Sequence, residues 1–464
     1  LQNQLLRFSQ SQPTTTATTA TSKKKKKNKS KKKKKSLFNP LDPSTQYIKH
    51  PLRCPMVQQF NTFFAKLTAT HSIPDAVAHV GPATGWRTIS KLSVRSTTPT
   101  APPVIGIFAP GSHNVVPLLS SPAHHPSIDK AVQITSQAAR DTNIQGYNGK
   151  DHGGLSYVGT NVETRTGRVS LVLVWNASSA SEVLRLNLFI AELIEKNEWH
   201  SIWNHFHKAD RHNNQIYGRE GSIWECVHGT KEPIAEVLSL KGRSMTPAPA
   251  LRLPPNVFRQ ANLLGFAKII QSIRNNWMRP RRTKCHLCLE LYGGVGTIGL
   301  NLLDLVNELR CSDANPFNEA CFVRTRDELH PSMSSKAVYF TKDASQMAID
   351  GELSRNVDVL IVDPPRKGLD EEVLVEMERR DVPRPKRLIY VSCGFKAFQR
   401  DCGRLVRAGY VPVHGEGHVL FPGANHIETL CVFDDVRSGS GGSGGGSSSS
   451  NGGGGGKRKK KKHH

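Results

Sequence analysis

Beyond Pro280 the chain settles into one rhythm: a short apolar run, a polar or glycine-rich turn, usually a helical stretch, then another apolar run. The runs are Cys285–Tyr292, Leu309–Asp313, Ala337–Phe340, Val357–Val362, Arg387–Val391 and Thr429–Phe433, with a helix read at 297–308. Short, continuously apolar strands alternating with helices bury both faces and need crossover connections. An α/β architecture with a doubly wound, mostly parallel sheet is therefore predicted here. Ligands of such sheets lie beyond the carboxyl ends of the strands, so the residues that end these runs are the first candidates for chemistry.

The preceding part, from about Tyr47 to Arg252, reads as an irregular α+β region. Gly85–Arg95 alternates apolar and polar, and Val169–Trp175 follows the turn signal Thr166-Gly-Arg. Val183, Leu186, Phe189, Ile190, Leu193 and Ile194 recur at helical spacing in Ser181–Asn197, and Ile216–Gly218, Ile223–Gly229 and Ile234–Leu240 read as short strands. After the prolines at 247, 249, 254 and 255, Asn256 is placed to cap a helix over Val257–Trp277.

Charge assigns the ends a separate role. The formal charge is +25, but eleven lysines fall within residues 23–35 and six basic residues within 457–462, leaving +8 for the rest. Residues 1–36 (Thr/Ala-rich, then Lys-rich, with no initial Met, so that a missing or processed start is expected) and the Gly/Ser-rich 437–464 are expected to be disordered tails. The expected division is 1–36 tail, 37–252 α+β region, 253–436 catalytic domain and 437–464 linker with basic tail. No apolar run reaches the ~18 residues of a membrane span, and nine cysteines without framework spacing suit a reducing compartment. The acid-free start suits a plastid or mitochondrion, and the lysine block a nucleus or nucleolus.

Three motifs sit at the strand ends. Glu290-Leu-Tyr-Gly-Gly-Val-Gly296 places glycines where the backbone can approach a ligand closely; Asp313 and Asp343 follow the next two strands, where a ribose diol and an adenine would be met. Val359-Leu-Ile-Val-Asp-Pro-Pro-Arg-Lys-Gly368 holds the Asp363 carboxylate at a strand end on two rigid prolines, and Tyr390-Val-Ser-Cys-Gly394 puts the Cys393 thiol at the same edge. Phe421-Pro-Gly-Ala-Asn-His-Ile-Glu428 brings Glu428 before the last strand as a possible base. Singly, each also reads as a tight turn, a small buried thiol or a satisfied carboxylate.

Together with Phe258-Arg-Gln-Ala-Asn262, these motifs resemble in order and spacing, over about residues 250–434, the RNA uracil-C5 methyltransferase family, which makes 5-methyluridine in tRNA and rRNA. The resemblance implies a Rossmann-like class I methyltransferase domain, S-adenosylmethionine as cofactor and RNA as partner; no membrane partner is expected, and a monomer is. It implies Cys393 as nucleophile and Glu428 as proton acceptor. It places Gln260, Tyr292, Gly294, Gly296, Thr297, Asp313, Asp343 and Asp363 on cofactor-binding positions, with Arg366 orienting the base or its loop. The region before Pro254 is then expected to grip RNA.

Two departures matter. Many relatives hold an iron–sulfur cluster through Cys-x5-Cys-x2-Cys near the amino end, whereas Cys54 is followed by no such partner, so no cluster is expected. Gly394-Phe395 replaces the usual Asn-Pro after the nucleophile. No metal site is expected either: Cys285-x-x-Cys288 reads as packing, and His205, His207 and His212 as a polar loop. Arg366 after Asp-Pro-Pro disfavours exocyclic-amine methyltransferases, and the lack of Cys in that motif disfavours cytosine-C5 enzymes. A catalytically silent RNA-binding or chaperone protein on the same fold is the reading from a different class.

Overall fold

Two large sheets and a two-stranded ribbon, with the helices packed on them, make up the fold of the described residues. The computed structural model describes residues 42–98, 101–149, 153–208, 216–217, 222–278 and 284–436; the expected tails and His212 lie outside these residues. Chain order starts with helix α1 (Pro55–His71) and strand β1 (Val77–Val80), then β2 (Ile89–Arg95), β3 (Val104–Phe108) and β4 (Val115–Pro117). Helix α2 (Pro126–Asp141), β5 (Leu155–Val162), β6 (Val169–Trp175), α3 (Leu186–Lys196), β7 (Trp199–Phe206) and β8 (Ile223–Gly229) follow. Strands β2 to β8 form a seven-stranded sheet in the order β4-β3-β2-β5-β6-β7-β8, antiparallel except for β6 and β7. Apolar residues of α2 and α3 (Ile128, Val132, Phe189, Leu193) cover it together with Leu171, Leu173 and Trp175.

A two-stranded ribbon, β9 (Ile234–Val237) and β10 (Ala250–Leu253), leads to helix α4 (Leu263–Ser272). The second sheet then builds from β11 (Cys285–Leu291), β12 (Val306–Ser312), α5 (Pro316–Asp327), α6 (Pro331–Ser334), β13 (Ala337–Phe340) and α7 (Ala344–Ile349). It continues with β14 (Val359–Val362), α8 (Glu371–Glu378), β15 (Arg387–Ser392), α9 (Phe395–Arg407), β16 (Tyr410–Val419) and β17 (Glu428–Asp435). Its order is β1-β16-β17-β15-β14-β11-β12-β13. Strands β13 to β15 run parallel, β17 is antiparallel to both its neighbours, and β1 joins the far edge parallel to β16. This is the Rossmann-like arrangement, with the order reversing between β11 and β14, where ligands of such sheets lie.

The expected boundary at 252/253 does not divide the packing. β1 is an edge strand of the C-terminal sheet, and Phe60 and Phe64 of α1 are buried among Phe395, Phe398 and Tyr390. The physical reason lies in β16, where a Cβ on Gly415 would overlap the Phe64 ring and one on Gly417 would come within 2.6 Å of Ile427. Two bare positions on the strand are what let the helix settle on it.

Local differences from the sequence expectations have identifiable causes. The helix expected from Val257 begins at Leu263, because Asn262 caps it by accepting from the Gly265 amide at 2.8 Å and Ala261 is held by Thr88, whose amide donates to its carbonyl at 2.9 Å. The helix expected over 297–308 is a 3-10 segment, Gly299–Leu305: the Asn301 side chain takes the Thr297 carbonyl at 2.9 Å, while its own amide donates to Ile298 at 3.1 Å. His205 lies within β7, its ring tilted 31° to that of Trp224 with the centroids 4.1 Å apart, rather than in a polar loop. Ile216 and Tyr217 form a bend, and Gly218 is outside the described residues.

Gly415 has no positive φ, so Gly415→Ala tests packing alone. Overfilling this contact should cost about 1–3 kcal/mol, read as a lower denaturant midpoint at unchanged m. An unchanged midpoint would mean that α1 contributes little to holding the sheet.

Candidate active site

Sheet register explains how residues far apart in sequence meet. Leu291 pairs with Val362, Val362 with Tyr390, and Ser392 with Thr429. The next residues outward are Tyr292, Asp363, Cys393 and Glu428. Three strands end at this edge, but β17 begins there, because it runs the other way. Asp363 and Glu428 both press electrostatically on the Cys393 thiol, and Arg366 counters them.

Burial governs protonation in this cluster. Desolvation pushes Asp363 up to about 7. It also drives Glu428 well above the carboxylate range, with Asp363 adding to the rise and Arg366 opposing it. The Cys393 thiol is pushed up to about 11, first by burial and then by Glu428 and Asp363. Glu428 is buried, and its Oε1 has no hydrogen-bond partner among the described residues. A buried acceptor left open costs stability, so this one is suited to a group the protein itself does not supply.

Gly394 has a steric reason. A Cβ there would come within 2.5 Å of the Arg366 carbonyl oxygen, so the loop carrying Asp363 and Arg366 packs directly on the turn after Cys393. Sequence reasoning assigned no role to His426. Its imidazole lies edge-on to Phe421 at 4.8 Å and beside the Cys393 backbone; burial first and Arg366 second pull it down to about 4, leaving it neutral. Its position two residues before Glu428, on the return to the same edge, was the available signal.

The expected cofactor residues divide into two kinds. Gly294 and Gly296 take φ of +57° and +78°, and the space above Gly294 is open. Tyr292 also has a positive φ, +57°, and is held there by exchanging hydrogen bonds with Asp370, its hydroxyl donating to the carboxylate and accepting from the amide, each 3.1 Å. Asp313 accepts from the amides of Gly294 (3.0 Å) and Asn315 (2.9 Å) and from the Asn318 side chain (3.0 Å). Asp343 is exposed and caps α7 through the Gln346 amide at 2.8 Å. Glu290, pushed up to about 7 chiefly by burial, accepts from the Gly299 amide at 3.0 Å and pins the segment after the turn. Tyr292, Asp313 and Asp343 thus each hold the loop that carries them, beyond the carboxyl ends of β11, β12 and β13.

Thr297 is half-buried after the turn. Gln260 is half-buried between Arg259, which forms a buried ion pair with Glu236 at 2.8 Å, and Asn262, which donates to the Leu420 carbonyl at 2.7 Å. The motif around Gln260 therefore fastens the segment before α4 to the loop entering Phe421. Cys285 and Cys288 are buried on β11, with burial pushing the Cys285 thiol up to about 12.

No family model matches the chain. An uncharacterized RNA methyltransferase of Protochlamydia amoebophila is 31% identical over 370 residues, covering 77% of this chain and 88% of that protein. Another of Geobacter sulfurreducens is 25% identical over 350 residues, 75% of this chain and 65% of its own length. Among solved structures, Pyrococcus abyssi tRNA (uracil-54, C5)-methyltransferase in complex with S-adenosyl-L-homocysteine aligns with a TM-score of 0.59 at 20% identity, covering 81% of this chain and 83% of that one.

The half-buried Asp363 carries a stability consequence independent of any ligand. Asp363 sits near 7 in the folded chain, above the ~4 of an unfolded aspartate. Its contribution is full below the unfolded value and is lost as pH rises through about 7. Asp363→Asn should therefore raise Tm at roughly pH 8 and change it little near roughly pH 4. A variant less stable than wild type at the higher pH would show that the carboxylate is satisfied in the fold.

Proposed function

The chain belongs to the RNA methyltransferase family of these relatives, and we propose that it methylates C5 of a uridine in tRNA or rRNA through a covalent adduct on Cys393. The observation that carries the proposal is the strand register that brings Asp363, Cys393 and Glu428 to one edge of the sheet, one carboxyl oxygen of Glu428 being buried and open.

S-adenosylmethionine, when bound, supplies an electrophilic methyl group on a sulfonium. The open turn at Gly294 and the strand-end positions of Asp313 and Asp343 fit such a nucleoside-bearing donor. Gln260, Tyr292, Gly296, Thr297 and Asp363 complete the set that would hold it. Asp313 would share its oxygens between the turn amides and the ligand.

Cys393 does the activating work. Its sulfur adds to C6 of the uracil, moving the C5=C6 electrons onto the ring carbonyl as an enolate, and those electrons would form the new bond from C5 to the donor's methyl group as the methyl–sulfonium bond breaks and its electron pair stays on the donor sulfur. Conversion of thiolate to thioether removes a negative charge from beside Glu428, which eases its ionisation. The carboxylate then takes the C5 proton, the C–H electrons restore C5=C6, and the sulfur leaves as thiolate. Arg366, opposing both acids, lowers the cost of the thiolate. The target uridine must be turned out of its stack to reach this edge, and the seven-stranded sheet with its helices is the candidate for holding the RNA around it.

RNA containing 5-fluorouridine blocks proton removal, so with S-adenosylmethionine it should trap a covalent adduct with the wild type and none with Cys393→Ser. Folded protein that binds RNA and yields no adduct with tRNA or rRNA would favour the silent RNA-binding reading instead. Glu428→Gln should lower turnover by roughly 10²–10⁴-fold while allowing the methylated adduct to accumulate on ordinary RNA. Because the thiol lies near 11, the rate of adduct formation should climb between roughly pH 7 and pH 9. A plateau below that window would mean that bound RNA, not the resting site, sets the thiolate.

A further inference from the structure

At the far edge of the second sheet, His79 and His418 are direct partners in the parallel β1/β16 register. Directly paired strand residues share a face, and Glu416, two residues before His418, shares it too. The rings of His79 and His418 lie 5.0 Å apart. One donor atom each from His79, Glu416 and His418 fall within 4.8 Å of one another.

We propose that His79, Glu416 and His418 form a zinc site that clamps strand β1 to strand β16. Two imidazoles and one carboxylate are a three-ligand set that zinc accepts, with a fourth position left for water. His418 Nε2 lies 3.0 Å from Glu416 Oε2, compatible with both binding one ion at the roughly 2.0–2.2 Å usual for zinc. Nitrogen donors favour this class of cation over magnesium or calcium.

The surroundings are arranged as a ligand carboxylate requires. Glu416 Oε1 accepts from the Ser272 hydroxyl at 2.7 Å and lies 2.8 Å from His414 Nε2, leaving Oε2 toward the other donors. His418 is buried, Glu416 is half-buried and His79 is exposed, so an ion enters from the His79 side. Lys268 on α4 also faces His418 and opposes the cation. The sequence concealed the site because its donors come from residue 79 and from residues 416 and 418.

Zinc binding can be read on the full chain without any methyl-transfer assay. After chelator treatment, competition against a chromophoric chelator should show one equivalent bound, and cobalt in its place should give visible d–d bands without a thiolate charge-transfer band. His79→Ala should weaken binding at least tenfold with an unchanged metal-free Tm; should that Tm fall, His79→Gln decides in the same assay. No uptake by the wild type, wild-type affinity in the His79 variant, or a thiolate band would each overturn the proposal.

Discussion

The site depends on one strand running against its neighbours. β17 enters between β15 and β16 in the antiparallel sense, so its first residue lies where β14 and β15 end. A parallel strand of the same length would start at the opposite edge, roughly 25 Å away at ~3.3 Å per residue. The direction of β17, more than any local feature of Glu428, therefore brings a carboxylate to the Cys393 thiol. The apolar residues Leu430, Cys431, Val432 and Phe433 of the same strand are fully buried, which anchors it and offsets the cost of an unpaired acid at its start.

The loops at this edge are tied to one another as well as to the sheet. Tyr292 joins the glycine turn to Asp370 beyond the Asp-Pro-Pro segment, Gly394 lets that segment lie on the Cys393 turn, and Asn262 reaches Leu420. Each contact links two motifs. A change at Gly394 would therefore be felt at Arg366, and a change at Tyr292 at Asp370, without either residue having to touch a substrate.

How much was legible in the sequence follows from where each ordering force resides. Val169–Trp175 and Ala337–Phe340 coincide with strands at both ends, because a continuous apolar run between polar turns carries its own signal. The motif residues likewise fell at the ends of their strands. Strand β16 escaped because Pro412, His414, Gly415, Glu416, Gly417 and His418 spell a loop locally; β17 and β1 supply its ladder and α1 fills the space above its glycines. The bonding of Tyr292, Asp313 and Asp343 was equally out of reach, since spacing places a side chain at an edge without naming its partners. Helix 297–308 failed for a smaller reason, one asparagine competing for a backbone carbonyl.

The placement of α1 and β1 also sets an order of assembly. Both are near the start of the described chain, yet they pack on β16, close to its end. During synthesis the phenylalanines of α1 must remain without their glycine-lined seat until nearly all of the chain has emerged. The seven-stranded sheet is complete long before then, and the second sheet closes last. A nascent chain stalled before β15 would thus lack Tyr390, Phe395, Phe398 and the β16 glycines together, leaving Phe60 and Phe64 without the partners that bury them.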